Sequence, residues 1–227
     1  MLKRTPNRIE ATKEFMIDIN VDWSQIETVL LDMDGTLLDL HYDNYFWRQH
    51  LPAVYAEQKG ISPDDALEEL ELVFTRFMGT LDWYCVDFWS TMLSLDIMRY
   101  KQEVAHKIGY RPNAQSFLQL CRENVSDLRL ITNAHRKVLD LKIVYTELDQ
   151  YFDCLICSHE LNAPKEDVKF WHNLSRMASF NPKTSLFIDD SEPVLDAAAS
   201  YGIGHIFSIE KPDSKQERSL LSKYPMI

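Results

Sequence analysis

The stretch Val29-Leu-Leu-Asp-Met-Asp-Gly-Thr-Leu-Leu38 decides the fold of this chain. Its apolar beginning, Thr28–Leu31, predicts a short strand that is buried on both faces and delivers Asp32 to its carboxyl end. Asp34 follows two residues later, and residues two apart in extended backbone share a face. Gly35 then lets the chain turn sharply. Since open α/β sheets bind ligands at the carboxyl ends of their strands, the stretch predicts a site with two carboxylates.

Four further apolar segments have the same continuous hydrophobicity, which is typical of parallel strands covered on both faces. They are 128–131, Cys154–Cys157, 185–188 and 204–209. Three segments between them have helical spacing. Ala114–Asn124 would bury Phe117, Leu118 and Cys121, segment 138–148 would bury Leu141, Val144, Tyr145 and Leu148, and segment 194–201 is alanine-rich. The alternation predicts an α/β fold, a doubly wound, Rossmann-like parallel sheet with right-handed crossovers.

Residues 43–110 interrupt this alternation and are rich in aromatic side chains. Their pattern predicts helices over 44–59, 62–78 and 84–93, with Ser62 as the N-cap of the second helix and Pro63 in its first turn. We therefore expect a small α-helical cap inserted after the first strand. The predicted division is an N-terminal extension at 1–22, a core at 23–42 and 111–227, and a cap at 43–110.

The composition excludes several classes of protein. The 227 residues include 24 basic and 35 acidic side chains, for a formal charge of -11, so no nucleic acid partner is expected. No apolar run approaches the roughly 20 residues needed to cross a bilayer, and the N-terminus lacks the apolar stretch of a signal peptide. The sequence predicts a cytoplasmic protein without membrane contact, and leaves the oligomeric state open.

Cys154 and Cys157 form a C-x-x-C pair that, taken alone, could be redox-active or bind zinc. They lie in a short apolar strand, where residues three apart face opposite sides, and no second C-x-x-C completes a zinc site. We interpret them as core cysteines in a reducing compartment.

Polar side chains follow the other predicted strands. Thr132 and Asn133 come directly after the second, Lys165 follows the third, and Asp189 and Asp190 end the fourth. Aspartate is also common in ordinary turns, so a single acidic strand end would be weak support for a site. Four strand ends that together supply paired acids, a hydroxyl, an amide and a lysine favour one site instead. Carboxylates this close suit Mg²⁺, which commonly takes one or two carboxylates, waters and a substrate phosphate.

These residues resemble, in the right order over roughly 28–209, the four motifs of the haloacid dehalogenase superfamily. The motifs are Asp32-Met-Asp-Gly-Thr36, Thr132, Lys165 and Asp189-Asp190-Ser191. The carboxylate at Asp34 separates the chain from the dehalogenases, which lack an acid there, and from membrane ion pumps, which carry threonine.

The resemblance implies that Asp32 attacks phosphorus to form an aspartyl-phosphate, and that Asp34 is the acid/base. It implies a Mg²⁺ cofactor held by Asp32, the backbone carbonyl of Asp34 and the acid of the fourth motif. We align Asp190-Ser191 with the Asp-Ser pair that is common in the fourth motif of the family. Asp190 is then the candidate for direct metal ligation and Asp189 for a role through a water molecule, although the reverse stays open. Thr132 and Lys165 would hold the phosphoryl group, and the amide of Asn133, by its own chemistry and position, is suited to binding phosphoryl oxygens as well.

The pattern is similar, more narrowly, to the bacterial purine 5′-nucleotidases that hydrolyse GMP and IMP. The similar pieces include Asp43-Asn-Tyr-Phe-Trp47, Asp82-Trp-Tyr-Cys85, Thr132-Asn-Ala-His135, Pro164-Lys-Glu-Asp167 and Lys211-Pro-Asp-Ser214. This similarity implies a nucleoside monophosphate substrate, and we predict base or ribose contacts from His41, Asn44 and Trp47. The alternatives are a sugar-phosphate phosphatase or phosphosugar mutase of the same superfamily, and a non-catalytic phospho-ligand-binding protein.

Overall fold

A computed structural model of the chain describes residues 21–216 and 222–227. The predicted N-terminal extension at 1–22 therefore lies almost entirely outside the described residues. The core is one parallel sheet of five strands in the order β3-β2-β1-β4-β5, which confirms the predicted α/β fold. The strands are β1 (Thr28–Leu31), β2 (Asp127–Thr132), β3 (Cys154–Cys157), β4 (Ser185–Asp189) and β5 (His205–Ser208).

The segment between β1 and β2 is helical, as predicted, although its first helix begins earlier. The chain is helical from His41 to Lys59, with a π-helical stretch, Phe46–His50, in the middle. Ser62 is the expected N-cap, accepting a hydrogen bond of 3.1 Å from the amide of Asp65. The helices are α1 (His41–Tyr45), α2 (Leu51–Lys59), α3 (Pro63–Phe77), α4 (Leu81–Tyr84), α5 (Val86–Leu93) and α6 (Ile97–Glu103). The sequence pattern does not predict α6.

Four helices of 10 or 11 residues precede the strands β2, β3, β4 and β5 in turn. They are α7 (Ala114–Asn124), α8 (Arg136–Thr146), α9 (Val168–Met177) and α10 (Glu192–Tyr201). The bounds of α7 match the prediction, whereas α9 was not predicted. Helix α8 ends at Thr146 because Glu147 adopts a positive φ of 51°, which stops the helix before the predicted end at 148.

The sheet has apolar layers on both faces. Val29 and Leu31 of β1 pack with α7 and α8, while Leu30 packs on the other face with α9 and α10. This explains why the strand segments are apolar without alternation. Residues of the cap segment form a third cluster around Phe46, Phe74 and Trp89. The division between cap and core at 43 and 110 stays a prediction.

The cysteines behave as core residues, as predicted. Cys157 is buried in the cluster on one face of the sheet, and Cys154 packs against the cluster on the other face. All four thiols are free. Among the described residues, no helix combines the length and the apolar character that a membrane span would require.

Candidate active site

The carboxyl edge of the sheet opens into a cavity of about 270 Å³. Asp32 follows β1 directly, and its amide donates to the carbonyl of Ile188 in β4 (3.1 Å), so the two strand ends lie side by side. Thr132 and Asp189 are the last residues of β2 and β4. Both the core and the cap segment line this cavity. The lining residues of the core include Asp32, Asp34, Thr132, Asn133, Lys165, Asp189 and Asp190. Those of the cap segment are Asp43, Asn44, Trp47, Trp83, Tyr84, Val86 and Lys101.

Lys165 joins the acidic strand ends. Its ammonium is 2% exposed and donates to Asp32 Oδ1 (2.5 Å), Asp189 Oδ2 (2.6 Å) and the carbonyl of Ile131 (3.3 Å). Burial alone would lower the pKa of Lys165, but attraction to Asp189 and Asp32 outweighs burial and raises it. The lysine therefore stays charged at neutral pH.

The donor set at this edge fits a divalent cation. Asp32, Asp189 and Asp190 each offer one oxygen, and these oxygens lie within 4.8 Å of one another. Oδ2 of Asp32 is buried and has no hydrogen-bond partner among the described residues. Burial raises the pKa of Asp32 to about 6, with Lys165 opposing the shift. A cation at the trio would satisfy the unpartnered oxygen and favour the ionised carboxylate.

Asp189 and Asp190 differ in what already holds them. Asp189 accepts from Lys165 through Oδ2 and from the amide of Ser191 through Oδ1 (2.8 Å). The Asp190 carboxylate lies against Gly35, where an added Cβ would stand 2.6 Å from Asp190 Oδ2. Gly35 also has a φ of 82°, a backbone conformation that residues with a side chain rarely adopt.

Asp34 turns toward a different partner. Its Oδ1 accepts from Lys142 Nζ on α8 (2.6 Å), and burial raises the pKa of Asp34 to about 6 while Lys142 opposes the shift. Lys142 also donates to Asp43 (2.6 Å), and Asp43 accepts from Lys101 (2.9 Å). Neither Lys142 nor Lys101 is predicted as a site residue from the sequence pattern.

A chain of hydrogen bonds connects the cap segment with the loop that carries Lys165. Tyr84 donates to Glu166 Oε1 (2.6 Å), and Asn133 Nδ2 donates to Glu166 Oε2 (2.8 Å). Asn133 Oδ1 accepts from the amide of Lys165 (2.9 Å). The carboxamide predicted to hold phosphate thus fixes the lysine loop, while Thr132 accepts from the amide of Ala134 (3.0 Å) at the cavity wall. Tyr84 and Glu166 were not predicted.

The three residues predicted to contact base or ribose are placed differently. Trp47 lines the cavity and stacks on Trp83, with ring centroids 6.2 Å apart and planes at 25°. Asn44 also lines the cavity, and its side chain donates to Asp213 (2.7 Å). His41 is not part of the lining, and its ring nitrogen lies 3.7 Å from Asp213.

The chain is similar to several known proteins. Residues 26–202 match the haloacid dehalogenase-like hydrolases. The GMP/IMP nucleotidase YrfG of Escherichia coli (strain K12) is 38% identical over 209 residues, which cover 92% of this chain and 94% of that protein, and the protein of the same name from Shigella flexneri matches equally. Among solved structures, the HAD phosphatase from Thermococcus onnurineus has a TM-score of 0.72 at 23% identity, covering 88% of this chain and 93% of that one. The last likeness concerns the fold alone.

Proposed function

Because the chain belongs to the haloacid dehalogenase-like hydrolase family, we propose that it is a Mg²⁺-dependent phosphatase of purine nucleoside 5′-monophosphates, such as GMP and IMP. The observation that carries the chemistry is the bridge from Lys165 to Asp32 and Asp189, because it gathers a nucleophile, a phosphate-binding cation and metal-binding carboxylates in one cavity. The nucleotide is supported by the 38% identity to the GMP/IMP nucleotidases.

Asp32 is the nucleophile in this proposal. Its carboxylate attacks phosphorus, the bond between phosphorus and the nucleoside 5′-oxygen breaks, and an aspartyl-phosphate forms. Asp34 gives its proton to the departing oxygen, then takes a proton from the water that attacks the phosphorus of the intermediate. In this second step the water oxygen bonds to phosphorus and the bond between phosphorus and the Asp32 oxygen breaks. Inorganic phosphate leaves, Asp32 is a free carboxylate and Asp34 is protonated again, so the enzyme returns to its starting state.

Lys165 and Thr132 hold the transferring phosphoryl group. Lys165 lies at the floor of the cavity with its charge secured by two carboxylates, and Thr132 presents its hydroxyl at the end of β2. Asn133 acts indirectly, because its carboxamide oxygen accepts a hydrogen bond from the amide of Lys165 and keeps that backbone in place. Such fixed charges and donors are the main source of rate in phosphoryl transfer.

Mg²⁺ would be held by Asp32, Asp190 and the backbone carbonyl of Asp34, with Asp189 acting through a water molecule. Both Asp189 oxygens are engaged, by Lys165 and by the Ser191 amide, which supports a water-mediated role for Asp189. When bound, the ion supplies positive charge that offsets the carboxylates and the phosphoryl oxygens.

The aromatic residues that the cap segment contributes to the cavity lining suit a purine. Trp47 and Trp83 present aromatic rings to the cavity, and stacking on such a ring contributes roughly 1–3 kcal/mol per base. Asn44 also lines the cavity and remains our candidate for a ribose or base contact, once its amide exchanges Asp213 for the substrate, whereas His41 lies outside the lining. The four free thiols fit the reducing cytoplasm, where we propose that the enzyme works.

A substrate panel tests the proposal. Phosphate release is measured from GMP, IMP, AMP and hexose phosphates, with Mg²⁺ and with EDTA, for the native enzyme and for Asp32→Asn. We expect the purine nucleotides to give the highest kcat/KM, EDTA to abolish the activity, and Asp32→Asn to be inactive. A preference for hexose phosphates would contradict the substrate, and undiminished activity of Asp32→Asn would contradict the mechanism.

A further inference from the structure

Four charged side chains form a buried cluster beside the phosphate site. Lys142 is 1% exposed and donates to Asp34 Oδ1 and to Asp43 Oδ2, both at 2.6 Å. Asp43 in turn accepts from Lys101 at 2.9 Å through Oδ1. Burying an ammonium group is costly unless carboxylates compensate it, so this arrangement calls for a reason beyond packing.

We propose that Lys142 is a positioning residue that holds the acid/base carboxylate of Asp34 in its working orientation, an inference that rests on the proposed function. The hydrogen bond from Lys142 engages Oδ1, and the side chain of Asp34 is 20% exposed at the cavity wall. The proton for the leaving oxygen is then carried on Oδ2. Lys142 keeps its own proton throughout, and faces the negative charge that appears on Asp34 once the proton has left.

Lys142 is itself held in place from the cap segment. Asp43 on α1 takes its second hydrogen bond, and the ammonium of Lys101 on α6 fixes Asp43 from the far side. That ammonium lies over three aromatic rings, those of Tyr42 (5.0 Å), Phe46 (4.4 Å) and Trp47 (5.3 Å). Cation–π contacts and ion pairs thus lock the cluster between α1, α6 and α8, which leaves Asp34 little rotational freedom.

The competing interpretation is that the cluster only fastens α1 and α6 to the core. The two roles can be distinguished by comparing substrates whose leaving groups differ in their need for a proton. An alkyl phosphate, such as a nucleoside 5′-monophosphate, must have its departing oxygen protonated, whereas the p-nitrophenolate released from p-nitrophenyl phosphate leaves without a proton. The value of kcat/KM reports the steps up to this departure, so the ratio of kcat/KM for the two substrates isolates the acid.

The test compares Lys142→Met and Lys142→Gln with the native enzyme. We expect kcat/KM for the alkyl phosphate to fall by about 10- to 100-fold more than kcat/KM for p-nitrophenyl phosphate, as misplacement of an acid predicts. Lys137→Met is the control, because Lys137 is an exposed lysine on the same helix, and should leave the ratio unchanged. Equal losses on both substrates would overturn the proposal, since a fastening role affects both alike.

A second comparison does not depend on the stability of the two Lys142 single variants. Asp34→Asn with Lys142→Met removes one negative and one positive charge together. If Lys142 acts through Asp34, this double variant has the same substrate ratio as Asp34→Asn alone, and a further fall in the ratio would overturn the proposal. If purine nucleotides are not hydrolysed, the proposed substrate fails, and the ratio is measured with whichever alkyl phosphate the native enzyme accepts.

Discussion

Gly35 offers a sharp test of how the metal-binding edge is built, through the substitution Gly35→Ala. The new methyl group would stand 2.6 Å from Asp190 Oδ2, 2.7 Å from Asp190 Cγ and 3.1 Å from Pro212 Cβ. To reach an ordinary contact of 3.4 Å, the Asp190 carboxylate must retreat by roughly 0.8 Å. A ligand displaced by nearly an ångström holds a divalent cation poorly, so we expect half-saturating Mg²⁺ to rise by about 10- to 100-fold.

The same substitution also strains the backbone. Gly35 has a φ of 82°, and an L residue with a side chain pays about 1–2 kcal/mol in that region. For a chain of this length we expect a fall in Tm of roughly 2–8 °C. Gly60→Ala is the matched control, because Gly60 has a φ of 71° and nothing within 4 Å of its added Cβ.

The assay measures phosphate release across a Mg²⁺ titration for the native enzyme and both variants, together with thermal unfolding. Gly60→Ala should lose stability with an unchanged Mg²⁺ midpoint, whereas Gly35→Ala should lose stability and shift the midpoint. An unshifted midpoint in Gly35→Ala would refute the reasoning that Asp190 is a direct ligand held against Gly35.

Two further predictions concern the cap contact and the core thiols. Tyr84→Phe removes the hydrogen bond to Glu166, which is worth about 1.5 kcal/mol, so kcat/KM should fall roughly tenfold. The control is Tyr55→Phe, which loses only an exposed hydrogen bond and should behave as the native enzyme. Equal kinetics for both variants would contradict a role for the bond between Tyr84 and Glu166. Burial raises the pKa of the Cys121 and Cys157 thiols to about 12, so both stay protonated at pH 8 and should resist a thiolate-specific reagent until the protein unfolds. Fast labelling of either thiol in the folded protein, located by peptide mass spectrometry, would contradict this prediction.

The strands and the residues at their ends were predictable because each signal is local. Strand β1 is apolar without alternation, and the acids follow it directly, so neither feature depends on the rest of the chain. Lys165 was found in the same way, by its position after β3. Its hydrogen-bond partners, Asp32 and Asp189, are 133 and 24 residues away in sequence. They contact Lys165 only once the strands have assembled into the sheet.

Lys142 was missed for a physical reason. It lies one helical turn from Val138 and Leu139, and these three residues share the buried face of α8. The predicted face was wrong for Val144 and Tyr145, which are 77% and 51% exposed. A lysine on a buried face is stabilised only by carboxylates distant in sequence, here Asp34 and Asp43, and periodicity cannot reveal such partners.

Helices α6 and α9 were missed for a simpler reason. Helix α9 buries Phe170, Trp171 and Leu174, whereas its other two apolar residues, Val168 and Met177, are exposed, so its apolar residues do not all lie on the buried face. Helix α6 is a short element whose buried face consists of Ile97 and a lysine. Packing against the rest of the molecule, rather than local pattern, stabilises such helices.

The central claim is that Asp32 becomes covalently phosphorylated, and rapid acid quenching tests it directly. The enzyme is mixed with Mg²⁺ and IMP carrying a radiolabelled phosphate, quenched within one turnover, and digested for peptide mapping. Hydroxylamine-sensitive label on the peptide that contains Asp32, absent from Asp32→Asn, is the predicted result. Rapid phosphate release with no label bound to protein, or label that persists in Asp32→Asn, would contradict the account.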